Sequence, residues 1–184
     1  RHTRRRQTYA VTASIGPGST NMITGAAVAT TNRLPVLLLP SDEFATRVPD
    51  PVLQQLEHPH DPSITCTDLF RPVSRYFDRV ARPEQLFSAL LAGMRVLTDP
   101  AETGTVTIAL PQDVQAERIE VPETFLTPRH WRIRRPDPEH VDIEAAVALI
   151  RTARQPLSIA AGGLPYAFPP EPLRPPPQPT RPPR

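Results

Sequence analysis

The stretch "TASIGPGSTNMITGAAVATTNRLPVLLLPSD", residues 12–42, joins the end of a β-prone run to a glycine-proline-glycine turn, a run of small residues and four aliphatic residues between prolines. Just before the turn, residues 7–13 ("QTYAVTA") stop at Ser14 and the glycines, the pattern of a buried strand entering a turn. Residues 21–31 are small and apolar and predict a helix with Ser19 or Thr20 near its N-cap. Residues 36–39 are continuously aliphatic between Pro35 and Pro40, as expected of a strand covered on both faces in a parallel sheet. Strand, glycine turn, helix and strand make a βαβ unit, whose crossover is right-handed.

The same alternation continues downstream. Residues 41–72 carry five prolines and read as loop, with a short helix over 51–57 where Pro51 suits a first turn. "VSRYFDRV" approaches as a short strand. In "RPEQLFSALLAGMRVL" Pro83 falls in the first turn, and Leu86, Phe87, Leu90, Leu91, Met94 and Leu97 make one helical stripe. "TVTIALP" is the next strand, stopped by Pro111. Residues 1–115 therefore read as an α/β layer domain. Residues 116–140, with four prolines and mixed charge, read as a linker. Asp142 then caps a helix, and "QPLSIAAGG" reads as a strand entering a glycine turn, so residues 141–163 start a second α/β domain. The segment 164–184 is nearly half proline and reads as a disordered tail. Its Pro and Arg codons are what a shifted frame in a GC-rich gene yields; a polyproline ligand for a grooved domain is the alternative. With Arg1 at the start and this tail at the end, the chain reads as a piece of a longer protein.

Composition removes several chemistries. All 21 basic residues are arginine, so a Walker-type lysine, a pyridoxal Schiff base and a lysine general base are excluded for this chain. The net charge of +2 is spread among 19 acids, apart from "RHTRRRQ". Without interleaved aromatics that cluster reads as a solvated face, and no nucleic-acid partner is expected. A single Cys66 cannot form an internal disulfide, and the longest apolar runs are too short for a bilayer, so a cytoplasmic protein with no membrane partner is expected. "HPHD", residues 58–61, has a metal-like look, but prolines stiffen it and no third ligand is in view, so no metal site is expected. Cys66 reads as a small, at least partly buried hydrophobe.

"SIGPGSTN" departs from two familiar motifs. A dinucleotide fingerprint requires a third glycine where Asn21 stands, and a nucleophile elbow requires glycine where Thr12 stands. What remains is a strand-to-helix turn whose small residues allow close backbone approach to a ligand or another subunit. Spacing alone leaves a plain packing turn equally open.

"SIGPGSTNMITGAA", "NRLPVLLLPSD", "PVLQQLE", "RPVSRYFDRV" and "GTVTIALPQDVQ", in this order and spacing, resemble the thiamine diphosphate enzymes of the acetolactate synthase and pyruvate oxidase group. The resemblance covers residues 4–163. It implies the second half of a parallel-sheet domain that binds the cofactor's pyrimidine, followed by the first elements of a central α/β domain. Within the group the likeness points to hydrolysis of a C–C bond in a cyclic 1,2-dione during myo-inositol breakdown. A carboligase or decarboxylase acting on 2-oxo acids is the alternative, and a non-catalytic remnant is a third reading. The resemblance places Gly16, Pro17, Gly18 and Asn21 near the pyrimidine, and Phe44 and Arg47 at the substrate entrance. On their own, Phe44 reads as packing, and Arg47 as a partner for Asp42 or Asp50. The cofactor-activating glutamate of the family lies upstream of the turn, and the Mg²⁺-binding motif is absent here, so no catalytic residue or metal ligand is assigned. Thiamine diphosphate, Mg²⁺ and assembly as a homo-oligomer, dimer or tetramer, are implied for the longer protein.

Overall fold

A computed structural model describes residues 7–48, 53–56, 58, 60–134, 136–157, 159 and 161–164. Its centre is one parallel sheet of β1 (Tyr9–Ala13), β2 (Val36–Asp42), β3 (Tyr76–Arg79) and β4 (Thr105–Pro111), in the order β1-β2-β4-β3. The α/β architecture expected from the alternation is present. Between the strands run α1 (Pro17–Thr20), α2 (Ile23–Thr31), a 3₁₀ segment (Cys66–Val73) and α3 (Gln85–Thr98). Beyond β4 come a 3₁₀ turn (Val114–Ala116), α4 (Glu123–Leu126) and α5 (His140–Thr152).

The two-residue period of a strand sorts its side chains onto opposite faces. Leu37 and Leu39 of β2 join Val106 and Ile108 of β4 beneath α3, whereas Val36 and Leu38 turn to Ala26 of α2 and Phe70 of the 3₁₀ segment. On that second face β4 presents hydroxyls. Thr105 Oγ1 donates to the Ala26 carbonyl at 2.8 Å, and the Ser74 and Thr107 hydroxyls lie 2.8 Å apart. Thr105 and Thr107 are fully buried, and these bonds offset the desolvation of their hydroxyls.

Four local expectations change. β1 is exposed rather than buried, with Tyr9 and Val11 at 52% and 42% exposure, because it pairs on one side only, with β2. β2 does not stop at Pro40 but runs on to Asp42. Its ladder with β4 passes from Leu38 opposite Thr107 to Ser41 opposite Leu110, so the missing proline N–H falls where that ladder has no pair. Pro83 stands before α3, whose N-cap is Glu84. Asp142 lies inside the first turn of α5, and the N-cap is Glu139; there the carboxylate still complements the helix dipole.

The 3₁₀ segment lies where only loop was expected. Its start is a capping box: Thr65 Oγ1 accepts from the Thr67 amide and the Asp68 carboxylate accepts from the Thr65 amide. Of the expected helix over 51–57, residues 51, 52 and 57 lie outside the described set and residues 53–56 are turn and irregular chain. The strand expected over 155–163 includes two residues outside that set, and the others there are not in a strand. The proline-rich segment from residue 165 lies wholly outside it. Among the described residues no helix is long and apolar enough to cross a membrane.

Phe70, packed with α2 and β2, is the largest fully buried side chain among the described residues. Truncation to alanine is expected to cost about 3–5 kcal/mol in urea unfolding, against less than ~0.5 kcal/mol for Val28→Ala on the exposed face of α2.

Candidate functional site

Ligands of open parallel sheets gather outside the carboxyl ends of the strands. At that end β1 enters the turn at residues 14–16. Gly16 has φ 66° and ψ −124°, a backbone region that essentially only glycine occupies without strain. A Cβ on Gly16 would also lie 1.8 Å from the Gln54 carbonyl oxygen. Gly16 is thus required by a neighbouring chain segment packed on the turn, to which the Ser14 hydroxyl also donates at 3.0 Å through Gln54 Oε1. Gly18 is different: it sits within α1 at ordinary φ, and a Cβ there meets only Ser14 Cβ, at 3.3 Å.

Helical structure begins earlier than the sequence predicted. Pro17 starts α1, the chain breaks at Asn21 and Met22, and α2 follows. Ser19 is therefore no cap. Fully buried, its hydroxyl faces the Ser14 carbonyl at 2.7 Å and the Ser41 carbonyl at 3.1 Å, joining the ends of β1 and β2. Gln115 Nε2 ties the next pair of strand ends, donating to the Leu110 carbonyl at 2.7 Å and to Ser41 Oγ at 3.2 Å. On this frame Gly16 is buried and Gly18 half-buried, while Pro17 and Asn21 are exposed.

Phe44, half-buried, and Arg47, exposed, follow β2 on the same end of the sheet. Their turn is closed by the Arg47 amide on the Phe44 carbonyl at 3.0 Å. Asp113, after β4, anchors it by accepting from the Ala45 and Thr46 amides at 2.9 and 3.0 Å and from Thr46 Oγ1 at 3.0 Å. Although partial burial works against its charge, these donors hold the Asp113 carboxyl below the usual carboxylate range.

Asp42 does not pair with Arg47. Its fully buried Oδ2 takes Arg79 Nε and Thr67 Oγ1, both at 2.6 Å, and its Oδ1 takes the Glu43 amide at 2.9 Å. Arg79 Nη2 reaches on to Thr65 Oγ1 at 2.5 Å, Thr67 Oγ1 at 3.0 Å and Asp68 Oδ1 at 3.2 Å. Burial opposes the guanidinium charge, but Asp42 and Asp68 outweigh it and raise the Arg79 pKa further. Asp68 is held low, against its own burial, by the Thr65 amide, Arg71 and Arg79. Arg71 in turn lies 4.3 Å above the Phe77 ring. Cys66, buried within this cluster, has its thiol pKa pushed up by desolvation, partly offset by a hydrogen bond from the Gly16 backbone. Sequence reading missed this network. Its one signal is T-x-x-D at Thr65 and Asp68, a capping-box pattern.

Gly16, Pro17, Gly18, Asn21, Phe44 and Arg47 thus share one end of the sheet. Among the described residues no three His, Cys, Asp or Glu side chains form a metal-binding group. In the motif at residues 58–61, the His60 amide donates to His58 Nδ1 at 3.4 Å, and Asp61 accepts from the Ser63 amide at 2.9 Å.

Comparison with known proteins adds chemistry to this geometry. The chain is 58% identical over 163 residues to the 3D-(3,5/4)-trihydroxycyclohexane-1,2-dione hydrolase of Geobacillus thermodenitrificans, a match covering 89% of this chain and 26% of that protein. It is 56% and 54% identical over 170 residues to the hydrolases of the same name from Clostridium tetani and Bacillus cereus, again 26% of each. The chain is a homologue of the trihydroxycyclohexanedione hydrolases. It spans about a quarter of their length. No protein-family model matches it.

Gly16→Ala is expected to lower the thermal midpoint by an amount equivalent to more than ~1 kcal/mol. Gly18→Ala should stay within ~0.5 kcal/mol of the parent, because alanine suits a helical position. Acid provides a second check. Asp68 and Asp113 have folded pKa values below their ordinary value of 3.8. The stability they contribute is fully present above that value and is lost as the pH falls through the depressed folded values. Melting across this acid range should show a shallower decline for Asp113→Asn than for the parent.

Proposed function

We propose that this chain supplies part of a thiamine diphosphate-dependent hydrolase that breaks a C–C bond of a cyclic 1,2-dione in the degradation of myo-inositol. The observation that carries the reading is 58% identity, over 163 residues, to a protein named for hydrolysis of such a dione. Supporting it is a glycine turn at the carboxyl ends of a parallel sheet, where the resemblance places the cofactor's pyrimidine. In this proposal residues 1–115 belong to the pyrimidine-binding domain, 116–140 to a linker, and 141–163 to the start of a central domain.

When bound, thiamine diphosphate supplies a carbon nucleophile and an electron sink. The chain's own contribution is positional. The backbone at Gly16, Pro17 and Gly18 and the Asn21 amide border the ring. Phe44 gives the entrance an apolar side, and the exposed Arg47 guanidinium offers donors to the vicinal oxygens of a dione. The Asp113 anchor fixes the turn that carries both. Mg²⁺ and the activating carboxylate belong to other segments of a longer, cytoplasmic homo-oligomer, with no membrane or nucleic-acid partner.

A chimera tests this reading. Residues 7–163 of this chain replace the matching segment of the Geobacillus hydrolase, and turnover of the cyclic dione and of pyruvate is measured with thiamine diphosphate and Mg²⁺. Dione hydrolysis within ~10-fold of the parent is expected, with Asn21→Ala and Arg47→Ala each lowering kcat/KM. Turnover of pyruvate alone would replace the hydrolase with a carboligase or decarboxylase. A folded chimera inert on both substrates would favour a non-catalytic remnant.

A further inference from the structure

Arg79 stands where three separate parts of this end of the sheet meet, and no role assigned above uses it. Its Nε faces the end of β2 through Asp42, and its Nη2 faces the start of the 3₁₀ segment through Thr65, Thr67 and Asp68. Thr67 closes the triangle on Asp42 at 2.6 Å and is fully buried. Between Thr65 and Thr67 the chain carries the buried Cys66, and the 3₁₀ segment that begins there packs against α1 of the glycine turn. From the other side, Ser19 bonds the carbonyl that precedes Asp42. The glycine turn is therefore held between β2 and the 3₁₀ segment, and one guanidinium joins those two.

We propose that Arg79 is a positioning residue for the glycine turn: its fork, bridging Asp42 to Thr65, Thr67 and Asp68, keeps the 3₁₀ segment closed on residues 14–21. The bridge requires a fork. An ammonium at this point is a single compact charge on a flexible stem and cannot present the planar donor pair that meets Asp42 and the 3₁₀ segment together. Because the contacts lie wholly within the chain, the role holds whatever ligand the turn meets.

Cys66 is the only thiol in the chain, which makes local opening directly measurable. For the whole chain, Arg79→Lys, Thr67→Val and the control Arg95→Gln, two rates are followed at several urea concentrations below the unfolding transition. One is alkylation of Cys66 by iodoacetamide. The other is amide exchange in the peptide that includes Thr20 and Asn21, whose amides bond Gly16 and Pro17. Arg79→Lys is expected to raise both rates at least ~10-fold with a shallow urea dependence, the mark of local opening. Arg95→Gln should leave both near the parent values. Unchanged rates in Arg79→Lys, or a rise that follows the urea slope of global unfolding, would overturn the proposal. Should Arg79→Lys not fold, Thr67→Val, which keeps both charges, decides the matter by the same two rates.

Discussion

A carboxylate with no access to water organises the end of the sheet that carries the candidate site. Asp42 closes an aliphatic strand, where an unpaired charge would be costly, and it is stable there only because Arg79, Thr67 and the Glu43 amide surround it. Its partners come from sequence positions 37 and 25 residues away. Satisfying one buried charge therefore draws the end of β3 and the 3₁₀ segment towards the end of β2. Such a pair adds little net stability over an apolar replacement, but it demands one arrangement, since a slipped contact leaves a charge uncompensated. The position of the 3₁₀ segment, and through it the setting of the glycine turn, follows from that demand.

The turn shows how a motif can be conspicuous for a reason other than the obvious one. Gly-Pro-Gly suggests backbone laid bare for a ligand. Gly16, however, is buried and constrained by its own fold, through a positive φ and the Gln54 carbonyl. Pro17 begins a helix, a position its fixed φ suits. Pro17 and Asn21 are exposed and Gly18 is half-buried. Of the two readings that spacing alone left open, the packing role of Gly16 is visible in the fold, through the Gln54 carbonyl.

Most of the sheet was legible because its signals are local. Residues 36–39 and 105–111 are aliphatic or β-branched runs bounded by proline or glycine, and both are strands. The stripe from Leu86 to Leu97 is a helix packed on β4, at which Gly93 permits an approach that a Cβ, 2.9 Å from Val106 Cγ1, would block. Other features depended on distant residues. Exposure of β1 follows from strand order, which no residue within it encodes. Nothing in their local sequence distinguishes Asp113 and Arg79, whose roles appear only when the fold brings Thr46 and Asp42 against them. Pro40 reads as a stop because only the register of its neighbour reveals a gap that accepts it. The positions of Gly16, Pro17, Gly18, Asn21, Phe44 and Arg47 around one sheet end came from family resemblance, since nothing local to Phe44 or Arg47 relates them to a turn thirty residues earlier.

Past β4 the physical character of the chain changes. Val114 is the last buried residue of the described chain. After the Gln115 bonds to the strand ends, the Phe125 ring meets the sheet layer 4.8 Å from Phe87 on α3. Helix α5 is thirteen residues long and buries none of them, although Val141, Ile143, Leu149 and Ile150 are apolar. A helix of that length is marginal in water when no face is packed. What supports it here is local: alanines of high helix propensity, Asp142 in the first turn and Arg151 in the last. Among the described residues, shared burial thus ends with Val114, and α5 takes no part in the core that fixes the glycine turn.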